Sequence, residues 1–101
     1  MIAPGGSVSA VTHAIVLIKA AHDSLSGLGD VLADVDGVAE AYSVTGEWDF
    51  VAMVRVAEPE GLADVVAAGL AKLPGVERTH TMVAFEVFSK HDLESMFSIG
   101  E

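Results

Sequence analysis

The chain has 101 residues, 51% of them hydrophobic, and a formal charge of −10 from five Lys and Arg against fifteen Asp and Glu. That length holds one domain, and the acidic balance argues against proteins that neutralise nucleic-acid phosphates or sit on anionic membranes. With no cysteine, disulfide frameworks, redox thiols and thiolate metal sites are excluded.

Residues 1–11 read as a flexible leader rich in Gly, Ser and Ala. They lack a basic stretch followed by an apolar core, so no signal peptide is expected. No apolar run approaches the roughly 18–20 residues of a membrane span, and the expected location is cytoplasmic. The folded unit should occupy residues 12–88.

"THAIVLIKA", from Thr12, is a short β-branched apolar run and predicts a strand. "HDSLSGLGDVLADVDG" follows, with Leu25, Leu28, Val31, Leu32 and Val35 at helical spacing. Asp23 or Ser24 is a candidate N-cap and Gly37 a candidate stop, while Gly27 and Gly29 weaken this helix. "VAEAYSV" (38–44) and "FVAMVRV" (50–56) predict strands joined over a hairpin length around Gly46.

The second helix is clearer. Pro59 suits its first turn, and Leu62, Val65, Val66, Gly69, Leu70 and Leu73 follow one face until Pro74-Gly75. "VERTHTMVAFEVF" (76–88) predicts the longest strand. Residues 89–101 form a tail, with one short helical turn expected through Leu93, Met96 and Phe97.

The order is β-α-β-β-α-β, and an internal repeat supports it. "LADVDGVAEAYSVTG" from Leu32 aligns with "LAKLPGVERTHTMVA" from Leu70 through Leu-Ala-x-x-x-Gly-Val. Two βαβ halves with right-handed crossovers place the first and third strands side by side in an antiparallel sheet. The expected fold is α+β: a ferredoxin-like βαββαβ sandwich of the ACT-like, dimeric α+β barrel type, with four antiparallel strands and two helices on one face.

Alternation then bears on assembly. Ala14, Val16 and Ile18 point one way in the first strand, and Ile15 and Leu17 the other. In the third strand Phe50, Ala52, Val54 and Val56 oppose Val51 and Met53. A sheet with one solvated face alternates apolar with polar, and this one is apolar on both. A mean hydropathy of +0.50 is likewise high for so small a domain. The expected cover for the helix-free face is a second copy, giving a homodimer or a larger ring.

The candidate chemistry begins in the connection formed by Thr45, Gly46, Glu47, Trp48 and Asp49, which holds the sole tryptophan between two acids. Turn chemistry alone accounts for Gly, Thr and Asp here. Together, however, these residues offer amides that approach a carboxylate closely at Gly46. They also offer acids for an ammonium group and an aromatic wall. Those are the recognition needs of a free α-amino acid. In the last strand Thr79 and Thr81 share one face and Arg78 and His80 the other. Threonine is a good strand former, and paired hydroxyls are also ligand donors.

The four histidines are scattered without metal-ligand spacing, so no metal or other cofactor is expected. Neither a nucleophile elbow nor a phosphate-cradling loop is present.

"EAYSVTGEWDFVAMVRV" followed by "LAKLPGVERTHTMVAFEV" closely resembles the effector-binding, or RAM, domain of the leucine-responsive regulator/AsnC (Lrp/AsnC) family. The resemblance runs from Thr12 to about Phe88 and rests on the pairing of the Gly-acid-aromatic-Asp turn with the Pro-Gly-Val-x-x-Thr-x-Thr strand. It implies a non-enzymatic domain of transcription regulation that dimerises through its sheets. Such dimers assemble into octameric or decameric rings and bind free amino acids at the dimer–dimer interface. The ligand-contacting turn falls on Gly46, Glu47, Trp48 and Asp49, and the contacting strand on Thr79 and Thr81. Trp48 stands where tyrosine is more usual and Glu47 where aspartate is commoner.

Family members usually carry an N-terminal DNA-binding helix-turn-helix. Some ten residues precede the first strand here, so a stand-alone sensor half with no direct nucleic-acid contact is expected, acting alone or with a full-length Lrp/AsnC regulator. Two alternatives remain open. One is a cofactor-independent α+β barrel enzyme, an oxygenase or isomerase, using His80, His13 or Tyr42. The other is a structural adaptor that completes another protein's ring.

Overall fold

The computed structural model describes residues 11–88; residues 1–10 and the tail, with Leu93, Met96 and Phe97, lie outside the described residues. Strands β1 (Thr12–Ala20), β2 (Val38–Ser43), β3 (Phe50–Val56) and β4 (Val76–Ala84) form one antiparallel sheet in the order β2-β3-β1-β4. Helix α1 (Leu25–Ala33) connects β1 to β2, and helix α2 (61–72) connects β3 to β4. The βαββαβ order and the central β1–β3 pair are those expected from the repeat.

Alternation along the central strands selects the core. Ala14, Val16, Ile18, Phe50, Ala52 and Val54 are buried on one face, where Leu28, Leu32, Val65 and Leu70 descend from the helices. A single cluster joins them, so both helices cover the same side. Alanines at 14 and 52 leave room for the helices to approach. Full burial of a Leu or Ile contributes about 1.5–3 kcal/mol, and Ile18, Leu32 and Leu70 are all 0% exposed.

The repeat is visible as structure. Leu32 and Leu70 are equivalent core residues. Gly37 and Gly75, five residues after each, take φ of 97° and 94°. A Cβ at Gly37 would meet Val65 Cγ2 at 2.5 Å, and one at Gly75 would meet Ser24 at 2.6 Å. Each glycine therefore lets a helix-to-strand junction turn sharply beneath a neighbouring helix.

Three elements differ from the sequence expectation. The first helix is shorter than its apolar spacing suggests and is broken near its start. Ser26 (φ −83°, ψ 126°) and Gly27 (φ 95°, ψ −21°) leave helical geometry, because glycine accepts the positive φ that ends a turn. Leu28 and Leu32 are then buried, while Leu25 and Val31 stay 38% and 46% exposed. Neither Asp23 nor Ser24 caps the helix by a side-chain bond.

Helix α2 is not uniform. It passes from an α-turn (Gly61–Ala63) through a π-turn (Asp64–Gly69) to a 3-10 turn (Leu70–Lys72). The wider turn brings Val65 and Leu70, five apart, onto one face. Gly69 allows the closeness: a Cβ there would lie 3.1 Å from Val35. Finally, β4 ends at Ala84, short of residue 88. Ala84 pairs with His13 near the start of β1, and only residues 11 and 12 precede that pair among the described residues.

Among the described residues, no helix covers the opposite, open face. Register places Tyr42, Val51, Leu17 and His80 in one row, and Glu40, Met53, Ile15 and Met82 in the next. Its middle is apolar, as alternation predicted.

Candidate functional site

The β2–β3 hairpin carries Thr45, Gly46, Glu47, Trp48 and Asp49 past the end of β1. Gly46 takes φ of 108° with nothing within 4 Å of a would-be Cβ, so its backbone conformation, not crowding, calls for glycine. Val44 N–H donates to Asp49 O at 3.0 Å, closing the loop.

Asp49 ties the loop to β1 at several atoms. Its N–H donates to Ile18 O at 2.9 Å, and its Oδ2 accepts from the Ala20 N–H at 2.8 Å. Lys19 Nζ stands 3.7 Å from the same Oδ2 and donates to Glu47 O at 3.0 Å. The carboxylate thus continues the sheet's hydrogen bonding where the backbone of the hairpin turns away.

Trp48 folds over the open face. Arg78 Cζ lies 4.8 Å from the indole centroid, within cation–π range, and the His80 ring centroid is 6.2 Å away at a 39° tilt. Arg78 also approaches Glu47, with Nη2 3.7 Å from Oε2. At that separation the two form an ion pair rather than a hydrogen bond. An exposed pair of this kind contributes about 0–1 kcal/mol.

The sequence-derived residues therefore divide. Gly46, Glu47, Trp48 and Asp49 come together at one end of the sheet, with Thr45 exposed in the same loop. Thr79 and Thr81 pair with Ile18 and Val16 on the helix-bearing side, at the sheet edge, away from Trp48. The strand residues that meet Trp48 are Arg78 and His80. Alternation puts these two on one face, but nothing local in the sequence brings the loop to them. The period-2 alternation held the signal, but which face the hairpin folds over is a tertiary fact.

Other features are separate. A cavity of about 370 Å³ lies between α2 and the loop before β2, lined by Val35, Val56, Val65 and Ala68 with Asp36 and Asp64 at its margin. Another of about 390 Å³ lies between α1 and β2, beside Ala41, Tyr42 and Ser43. The residues named for a catalytic alternative do not converge: Tyr42 and His80 end the same row on opposite sheet edges, and His13 is at the far end of β1. Among the described residues, no group of His, Asp and Glu is arranged to hold a metal, and no helix is long and apolar enough to cross a membrane.

Fold and hairpin define a ferredoxin-like α+β domain with a polar, aromatic loop folded onto its open sheet face. The sequence profile of the Lrp/AsnC ligand binding domain matches residues 13–93. The chain belongs to that family. It is 39% identical over 79 residues to an uncharacterised HTH-type transcriptional regulator of Pyrococcus furiosus, an alignment covering 73% of this chain and 51% of that one. The chain thus spans about half the length of the curated relatives it matches. Among solved structures, TTHA0845 of Thermus thermophilus superposes with a TM-score of 0.73 at 44% identity, covering 78% of this chain and 99% of that one. A feast or famine regulatory protein of M. tuberculosis, complexed with L-methionine, superposes with a TM-score of 0.67 at 27% identity, covering 89% of this chain and 60% of that one.

Proposed function

We propose that this domain binds a free amino acid or a closely related metabolite at an oligomer interface, and that occupancy changes its assembly or its action in transcriptional regulation. The hairpin residues Thr45, Gly46, Glu47, Trp48 and Asp49 build the ligand site at the end of the sheet, while Thr79 and Thr81, named with them from the sequence, lie on the helix-bearing side and do not reach it. The carrying observation is the cluster at the hairpin, where acids, a cation and the sole indole stand within contact of one another. The M. tuberculosis relative complexed with L-methionine supports the ligand class.

A second copy covers the open face in this reading. Ile15, Leu17, Val51 and Met53 form an apolar centre on the side opposite the two described helices, and removing that surface from water favours association. Assembly with further copies or with a full-length regulator then links ligand to transcription.

A thermal-shift screen of the purified chain against the free amino acids and their keto-acid relatives tests the proposal. A ligand at 100 times its Kd adds about 2.7 kcal/mol of stability, a clear rise in melting temperature. A flat response across the panel, at millimolar ligand, would remove the amino-acid reading.

A further inference from the structure

The β1–β4 register sets Lys19 directly opposite Arg78 on the open face. Like charges in that relation destabilise a sheet, and their counter-ions here differ in freedom. Asp49 is fixed, because its Oδ2 already accepts from the Ala20 N–H at 2.8 Å while facing Lys19 at 3.7 Å. Glu47 is anchored only through its main chain, where Lys19 donates to its carbonyl. Its carboxylate side chain is 75% exposed and meets Arg78, itself 60% exposed, at 3.7 Å. The Arg78 guanidinium meanwhile rests over the Trp48 ring. A cation, an anion and an aromatic face are thus gathered on the sheet margin, each loosely engaged with another.

Resting on the amino-acid-binding reading above, we propose that Arg78 and Glu47 form a clamp for the ligand's zwitterion, self-paired when empty. The α-carboxylate takes the Arg78 guanidinium, whose planar fork matches it bidentately. The α-ammonium takes the Glu47 carboxylate. The ligand's side chain occupies the Trp48 face that Arg78 vacates, which favours an apolar side chain over an acidic one because the ring face is electron-rich. Opening the clamp is easy, since an exposed ion pair contributes little, and one ion pair is exchanged for two. Asp49 and Lys19 act as positioning residues that hold the loop in place. The strand's polar contribution passes through Arg78, while Thr79 and Thr81 face the other side of the sheet.

The test compares each responding L-amino acid with its α-amide, which lacks the carboxylate, and with its deaminated acid, which lacks the ammonium group. Binding is measured by calorimetry and by Trp48 fluorescence on the full chain and on R78Q and E47Q. In the unaltered protein the amide should bind at least tenfold more weakly. In R78Q acid and amide should bind alike, and in E47Q the deaminated acid should lose no more than the parent does. Trp48 emission should change on binding in the unaltered chain, as the guanidinium leaves the ring. Full discrimination persisting in both variants would overturn the clamp and leave the amino-acid reading intact. Absence of binding by every amino acid in the panel would overturn both. Each variant's melting temperature, measured without ligand, separates loss of recognition from loss of fold.

Discussion

The Asp49 carboxylate accepts the Ala20 N–H at 2.8 Å and so completes the hydrogen bonding at the C-terminal end of β1, where the hairpin backbone departs. A residue that looks like a ligand acid in sequence is therefore also a structural acceptor. Hydrogen bonds to charged groups contribute about 1.5–3 kcal/mol, so Asp49→Ala should lower unfolding free energy by roughly that amount. Asp49→Asn keeps an acceptor and should lose less. Urea denaturation at a fixed protein concentration reads both, and an unaltered midpoint in Asp49→Ala would show that the bond carries no weight.

Gly37 and Gly46 share a positive φ but differ in surroundings. Forcing a side chain into such a conformation costs about 1–3 kcal/mol. Gly46→Ala incurs only that strain, whereas Gly37→Ala also drives a Cβ into Val65. The melting temperature should fall further for Gly37→Ala. Equal losses would mean that Val65 and its π-turn yield without cost.

Leu32 and Leu70 occupy equivalent places in the repeat and are both fully buried. Truncation of either to Ala should cost about 2–5 kcal/mol. Val31, beside Leu32 in sequence but 46% exposed, should lose about 0.5 kcal/mol or less as Val31→Ala. Chemical denaturation of the three variants separates core from surface.

Met53 lies in the apolar centre of the open face, between Ile15 and Glu40. With a second copy over that face, the chain should sediment as a dimer or larger at micromolar concentration. Met53→Glu buries a charge in the contact and should shift it toward monomer. Sedimentation velocity decides this, and an identical profile for the variant would place any interface elsewhere.

Much of the fold was legible because it rests on local periodicity. Period-2 alternation in β1 and β3 named the buried set, and the Leu-Ala-x-x-x-Gly-Val repeat named two equivalent junctions. The first helix was less legible: its apolar spacing runs through Gly27, and nothing local says that this glycine takes a positive φ. The π-turn in α2 was hidden too, since Leu62, Val65, Val66 and Leu70 suit a regular helix until packing brings Val65 and Leu70 to one face.

The candidate site divides along the same line. Composition and turn chemistry by themselves determined that residues 45–49 carry acids and an aromatic ring around a glycine, because those types and that spacing are local properties. Only the tertiary structure decided that Trp48 folds over Arg78 and His80, that Asp49 is held by Ala20, and that Thr79 and Thr81 turn to the other side. The reason is register. A one-residue choice in pairing sends every side chain of a strand to one face or the other, and that choice is settled by burial of Val16 and Ile18 beneath the helices, far in sequence from the loop it arranges.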